Sequence, residues 1–197
     1  MVMSKRDKKQ RKKKQLQKVQ QKARRQELIY KLKPLMLTFV VWFALKSVLF
    51  IPAVASTISP PLVSFTTYSA YWFGRLLFIP IQMPSMPFLT VNDFSMKVIM
   101  ECTAYNFYIF IFVLTIFSRW SLRQKLINLG IFLATVFVFN NLRFITMGYV
   151  GSFRPDLFDT VHDYVWNILF GFLVFGVWVW RETRVSRHEN KQIVTVS

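Results

Sequence analysis

The chain is poor in the residues that build several common kinds of site. Its 197 residues include one cysteine, two histidines and six glycines. A single cysteine excludes a disulfide scaffold, and so few Cys and His residues argue against a zinc cluster. The six glycines form no loop of the kind that cradles phosphate groups. We therefore expect no metal and no other cofactor. Aromatic residues make up 17% of the chain, which excludes disorder for most of it.

Apolar residues and positive charge are abundant, and they occupy different segments. The chain is 53% hydrophobic with a formal net charge of +17, and residues 1–33 hold 14 of its 26 lysines and arginines. Long apolar runs follow, over residues 35–58, 99–118, 126–150 and 162–180. Runs of about 20 apolar residues are long enough to cross a bilayer. The sequence predicts an all-α integral membrane protein with about four transmembrane helices: a basic segment 1–33, a membrane-embedded domain 34–182 and a tail 183–197.

The distribution of charge predicts the orientation. Residues 1–33, residues 119–125 and the tail from Arg181 carry net charges of +12, +3 and +2, which together account for the whole net charge. Segments rich in lysine and arginine stay in the cytoplasm, so we expect both termini and the 119–125 loop there. Lysine and arginine residues directly before a first transmembrane segment are typical of a cytoplasmic segment that sets orientation and also contacts anionic lipid. We favour this interpretation over a nucleic-acid-binding arm. We therefore expect no nucleic-acid partner.

Parity restricts the second apolar stretch, residues 62–82. If the 119–125 loop lies on the inner side, the run 99–118 that precedes it must start on the outer side. Because the N-terminus is also inside, an odd number of crossings must lie between residues 34 and 98. The run 35–58 supplies one crossing, so residues 62–82 cannot form a simple full span. Arg75 lies in the middle of this stretch, and a central arginine costs a few kcal/mol in a bilayer. We expect an interfacial or re-entrant helix on the outer side.

The residues after this stretch contain a turn signal. Two short runs flank Asn92-Asp93, and both of these residues favour turns. This pattern favours a small outward-facing β-hairpin, with an irregular loop as the alternative.

Three polar side chains fall at one predicted height in the membrane. Cys102, Arg143 and His162 lie 17, 18 and 19 residues from the nearest basic residue of a cytoplasmic boundary. At 1.5 Å per residue these spacings are about 26 to 29 Å, close to the outer face of a ~30 Å hydrocarbon core. We expect the three side chains to converge to about 4–7 Å when no substrate is bound.

These three residue types suit cysteine acyl transfer. A thiolate is the nucleophile, an imidazole moves the proton and a guanidinium stabilises an oxyanion. Taken singly, each has another interpretation: a small buried cysteine, a solvated histidine and a snorkelling arginine. Glu101, Asn140 and Asp163 are candidate supporting residues around them. Thr160 and Asp163 have the spacing of a capping box, which would set the start of the His162 helix.

Three short blocks of this sequence resemble the signature blocks of the exosortase/archaeosortase family of membrane-embedded cysteine transpeptidases. They are Glu101-Cys102-Thr103-Ala104, Asn140-Asn141-Leu142-Arg143-Phe144-Ile145 and Phe158-Asp159-Thr160-Val161-His162. The resemblance covers about residues 62–180, and the short exosortase H type is the nearest form. Ala104 stands where the family often has glycine, and Phe144 where isoleucine is common.

The resemblance implies a function. Such an enzyme cleaves exported proteins that carry a C-terminal Pro-containing motif, a transmembrane helix and a basic tail, and passes them to a surface glycan or lipid. Cys102 would be the nucleophile, His162 the proton donor to the leaving amine and Arg143 the oxyanion partner. The site would lie on the outer side of a bacterial cytoplasmic (inner) membrane. The alternatives are a non-enzymatic membrane scaffold and, less favoured by the polar residues' position, a small transporter.

Overall fold

The computed structural model describes residues 5–49 and 51–196 and shows a helical protein with one small sheet. Two of its helical segments, Leu122–Phe153 and Pro155–Arg184, are long and apolar enough to cross a membrane, and a bent pair of helices could supply a third span. The α-helices are α1 (Lys5–Val48), α2 (Pro52–Leu76), α3 (Tyr105–Phe117), α4 (Leu122–Phe153), α5 (Phe158–Thr160) and α6 (Trp166–Val196). The expectation of a helical membrane protein is confirmed, whereas the count of four crossings stays a prediction.

The first apolar run is broken where the sequence suggested continuity. Helix α1 ends at Val48, α2 begins at Pro52, and the two helix axes differ by 98°. Proline disfavours helical backbone in the residue before it, and Ile51 is extended, with ψ at 119°. Helix α2 then continues through Pro60 and Pro61. The break between α1 and α2 therefore lies between Val48 and Pro52, not near residue 60 as the apolar runs suggested.

The predicted hairpin is present. Strands β1 (Ile81–Gln82), β2 (Phe88–Val91) and β3 (Phe94–Lys97) form an antiparallel sheet in that order. Val91 pairs with Phe94 across the Asn92-Asp93 turn. A side chain at Gly148 or Gly151 of α4 would collide with Val91 or Phe94. The sheet therefore lies directly against the end of α4 that precedes residue 153, since glycine permits this close approach.

Helix α3 lies at the centre of the helical assembly. It packs against α1, α4 and α6, and Ile111 and Leu114 on it are completely buried. Its 13 residues make it about 20 Å long, shorter than a ~30 Å hydrocarbon core. Large apolar side chains on the outer faces of the other helices are exposed, for example Phe43 and Phe172, which is typical of a surface that faces lipid.

Hydrogen bonds hold the chain at the ends of α3 and α4 that are predicted to face the cytoplasm. Arg181 Nε donates to Asn128 Oδ1 at 2.6 Å, and Trp120 Nε1 donates to Glu182 Oε2 at 2.9 Å. The loop between α3 and α4 is short, residues 118–121, and its last residue, Ser121, caps α4. These bonds fix the register of α6 against α4. That register determines which side chains lie opposite one another at the other ends of the two helices.

Candidate active site

Cys102 lies on a short 3₁₀ turn, Met100–Thr103, which connects the sheet to α3. The residue at the junction, Ala104, has left-handed backbone, with φ at 56° and ψ at 17°. This conformation costs an L-residue other than glycine about 1–2 kcal/mol. Glycine does not have this cost, which is a physical reason for the glycine often found at this position in similar proteins. Ala104 adopts the same turn and adds a methyl group.

His162 lies in a π-helical turn, Val161–Val165, between α5 and α6. Such turns interrupt α-helices and occur often at functional sites. The predicted capping box is wrong. The helix begins before Thr160, whose side chain makes no capping bond, and the Asp163 carboxylate contacts the His162 ring instead. The ring also stacks on Phe158, with an interplanar angle of 9°.

The imidazole of His162 is the centre of the site. Cys102 Sγ lies 3.5 Å from His162 Nε2, and Arg143 Nη2 lies 2.9 Å from the same nitrogen. On the other side of the ring, Nδ1 lies 2.8 Å from Asp163 Oδ1. The structure thus brings together the three predicted site residues, with contacts to the His162 ring shorter than the 4–7 Å expected, and places the predicted supporting residue Asp163 against the same ring.

The partners of the ring define its tautomer. An ionised carboxylate only accepts hydrogen bonds and a guanidinium only donates them. The proton of a neutral imidazole therefore lies on Nδ1, where it is donated to Asp163. Nε2 carries the lone pair that accepts from Arg143 and faces the thiol of Cys102. This is the tautomer that can take a proton from a thiol.

The site lies at the boundary between interior and surface. Cys102 and Arg143 are 6% and 5% exposed, whereas the side chains of His162 and Asp163 are 23% and 62% exposed. Burial raises the pKa of the Cys102 thiol, but the contact with His162, a backbone hydrogen bond at Ile99 and the positive charge of Arg143 outweigh burial. The net effect is a lowered pKa, which favours the thiolate.

Two of the predicted supporting residues do not contact this cluster. The Glu101 side chain is exposed and lines a nearby cavity. Asn140 is buried one helical turn before Arg143, and its Oδ1 has no hydrogen-bond partner within the described part of the chain. Asn106 and Trp42 were not predicted as site residues: Trp42 Nε1 donates to the Asn106 carbonyl at 2.9 Å beside the same cavity. An indole in an apolar run gives no sequence signal of this kind.

Cavities lie on both sides of the Arg143–His162 pair. One, of about 360 Å³, lies between β3 and Cys102. The other, of about 510 Å³, extends between α1 and α6 over α3 and includes Asp163 in its lining. Arg143 and His162 line both cavities. These two side chains therefore lie between the cavities, and Cys102 lines the smaller one.

The fold and the site together define a helical membrane protein that holds a thiol, an imidazole, a carboxylate and a guanidinium at one place. Comparison with family models gives a match to the transmembrane exosortase (Exosortase_EpsH) model over residues 32–180. The chain belongs to the transmembrane exosortase family, whose general role is that of a membrane transpeptidase. Searches of curated proteins and of solved structures give no match.

Proposed function

We propose that the protein is a membrane-embedded cysteine transpeptidase that cleaves C-terminal sorting signals from exported proteins and transfers them to a surface glycan or lipid. The observation that carries the proposal is the 3.5 Å contact between Cys102 Sγ and His162 Nε2. Nucleophile and base lie within hydrogen-bonding reach, and Asp163 orients the base, which is the arrangement that covalent catalysis requires.

The first half of the reaction forms a thioester. The thiol proton of Cys102 passes to His162 Nε2, and the thiolate attacks the carbonyl carbon of the scissile peptide bond. Arg143 has donors beyond the one that contacts His162, and it stabilises the oxyanion. The C–N bond breaks as His162 returns the proton to the leaving amine. The upstream part of the substrate is then bound to Sγ as a thioester.

The second half transfers the acyl group. The acceptor nucleophile, an amine or hydroxyl on a glycan or lipid, gives its proton to His162 Nε2 and attacks the thioester carbonyl. The S–C bond breaks, and Cys102 recovers its proton from His162. No oxidant or reductant is needed. Asp163 holds the Nδ1 proton throughout, so the ring alternates between the neutral form with a proton on Nδ1 and the imidazolium.

The membrane orientation is part of the proposal. Both termini lie in the cytoplasm, four segments cross the inner membrane, and residues 62–97 lie on the outer side with the site. The charge distribution of the sequence supports this arrangement. Cysteines introduced at positions 92 and 122 of a Cys102→Ala protein should be labelled from opposite sides of the membrane by an impermeant maleimide. Labelling of both from one side would refute the orientation.

The decisive experiment traps the acyl-enzyme. A reporter protein carrying a Pro-containing motif, a 20-residue Leu/Ala helix and an arginine tail is expressed with the full chain. Wild-type protein should form a hydroxylamine-sensitive adduct with the reporter and release the cleaved product. Cys102→Ala should give neither adduct nor product. Undiminished cleavage by Cys102→Ala would refute the cysteine mechanism and favour a non-enzymatic scaffold role.

A further inference from the structure

The larger cavity continues away from the site as a long apolar cleft. Helices α1 and α6 form its walls, and α3 forms its floor. From Asp163 to Trp178, both of which line it, the chain advances 15 residues, or about 22 Å of helix. The lining residues of the two walls recur every three or four positions, as on one helix face: Leu35, Phe39 and Trp42 on α1, and Gly171, Val174 and Trp178 on α6.

The cleft can receive one face of a helix. A helix about 10 Å wide and 22 Å long occupies roughly 1,700 Å³, more than the cavity's volume of about 510 Å³. A helix in the cleft would therefore keep its other face toward lipid, as expected for lateral entry from the bilayer. At Gly171 an added Cβ would meet nothing within 4 Å, so a second backbone can approach closely there, as it does at glycine in membrane helix pairs.

The end of the cleft next to the site carries hydrogen-bond acceptors. Asn106 Oδ1 is buried and has no partner among the described residues, although the Asn106 carbonyl is fixed by Trp42. An unmade hydrogen bond of this kind is costly, and its retention calls for an explanation. The carboxylates of Glu101 and Asp163 line the same end. Lys46 lines this end as well, with its ammonium 5.4 Å from the centre of the Trp42 ring.

Hydrogen-bond acceptors at one end of an apolar cleft complement the N-terminal end of a bound helix. The first four N–H groups of a helix have no partner within it, and they carry partial positive charge. A lipid acyl chain has no such donors. We propose that the cleft binds the transmembrane helix of the protein substrate, with its first-turn N–H groups donating to Asn106, Glu101 and Asp163. This inference rests on the proposed function and adds the surface and the polarity of substrate binding.

Two glycines of α6 provide a matched test. Gly171 lines the cleft and Gly176 does not, yet an added Cβ meets nothing within 4 Å at either position. With the reporter described above, Gly171→Leu should reduce processing by about tenfold or more, and Gly176→Leu should process as wild type does. Alkylation of Cys102 by iodoacetamide should proceed at the wild-type rate in both variants. Equal processing by both variants would overturn the proposal.

Variants of Asn106 test the direction in which the substrate helix lies in the cleft. Asn106→Leu removes the acceptor, so it should raise the KM for the reporter more than it lowers kcat. Asn106→Asp keeps an acceptor oxygen at the same place and should recover most of the affinity. If Asn106→Leu changes only kcat, or if Asn106→Asp is as defective as Asn106→Leu, the proposed contact with the substrate helix is wrong.

Cross-linking separates this proposal from the proposed function. Benzoylphenylalanine at position 171 of a Cys102→Ala protein should cross-link the uncleaved reporter, whereas the same probe at position 176 should not. Binding in the cleft needs no thiol, so this result is independent of catalysis. An adduct with a second copy of the chain, or with lipid alone, would overturn the assignment of the occupant and leave the cysteine mechanism to be judged by its own experiment.

Discussion

Polar clusters join α4 to the α5–α6 segment at both ends, and they differ in what surrounds them. At the end predicted to face the cytoplasm, which we call the inner cluster, Arg181 binds Asn128 at 2.6 Å. At the opposite end, which we call the outer cluster, Arg143 binds His162 at 2.9 Å. The two cavities that flank the outer cluster are not lined by the inner one. Of the two clusters, the outer one contains a nucleophile, Cys102, whose Sγ lies 3.5 Å from an imidazole nitrogen.

This difference shows that an arginine bonded between two helices of a membrane protein is not by itself a sign of chemistry. The inner arginine fixes the register of two helices, since its partner belongs to the other helix. The outer arginine makes a contact of similar length, but it lies between two open volumes and beside a thiol. The inner cluster also supports the outer one, because the register that it sets brings Arg143 and His162 to the same level.

The largest effect should come from removing the base. His162→Ala leaves the thiol without a proton acceptor and the leaving amine without a proton donor, so reporter processing should fall below detection. His188→Ala is the control: residue 188 lies in the predicted cytoplasmic tail, far along the chain from the site, and this variant should process normally. Detection of cleaved reporter by immunoblotting compares the two. Normal processing by His162→Ala would exclude the base from the mechanism.

The arginines of the two clusters should respond differently to the same substitution. Arg143→Lys keeps the charge but loses the planar fork of donors, and the loss of an oxyanion donor costs about 10²–10³ in rate. Arg181→Lys alters a structural hydrogen bond, so it should lower the thermal midpoint and leave the rate per folded molecule close to that of wild type. Single-turnover rates and melting curves measure both effects. Equal rate losses in the two variants would remove the distinction between the clusters.

The height of the site in the membrane could be predicted by counting residues from the basic boundaries. The contacts between its side chains could not be predicted in this way. Helix rise is constant, and the basic boundaries are marked by residues such as Lys125 and Arg181, so equal spacings predicted equal heights. The hairpin was predictable because the Asn92-Asp93 turn and the strands beside it are local signals. The break near residue 50 was missed because proline occurs at residue 52 and again at residues 60 and 61, and only the first of these interrupts the helix.

Other features depend on packing that the sequence does not display. Asp163 was among the predicted supporting residues, but it meets His162 within a π-helical turn, and such a turn leaves no mark in the pattern of apolar residues. The cleft needs the relative positions of α1, α3 and α6. Asn106 and Trp42 looked like ordinary members of an apolar run, and only the assembled helices place them beside the site.

The pH dependence of Cys102 alkylation should be shifted. The thiolate is the reacting form, so the rate rises as pH passes through the thiol pKa. Because the Cys102 pKa is lowered in spite of burial, the wild-type profile should lie at lower pH than that of a free thiol. His162→Ala removes the largest lowering contact and leaves burial, so its profile should move to higher pH. The chain has a single cysteine, so mass spectrometry of the iodoacetamide adduct measures it directly. Coinciding profiles would contradict the Cys102–His162 contact.

The smallest effect concerns the backbone at the nucleophile. Ala104 has φ at 56°, which costs alanine about 1–2 kcal/mol, whereas glycine loses about 0.4–1 kcal/mol through its freer unfolded chain. Ala104→Gly should therefore stabilise the protein, by up to about 1.6 kcal/mol, and keep normal processing. Ala70→Gly is the matched control, since Ala70 is equally buried but lies inside α2. There the same change should destabilise by about 1 kcal/mol. Thermal unfolding in detergent measures both, and a loss of stability in Ala104→Gly would show that the methyl group contributes more through packing than it costs in backbone strain.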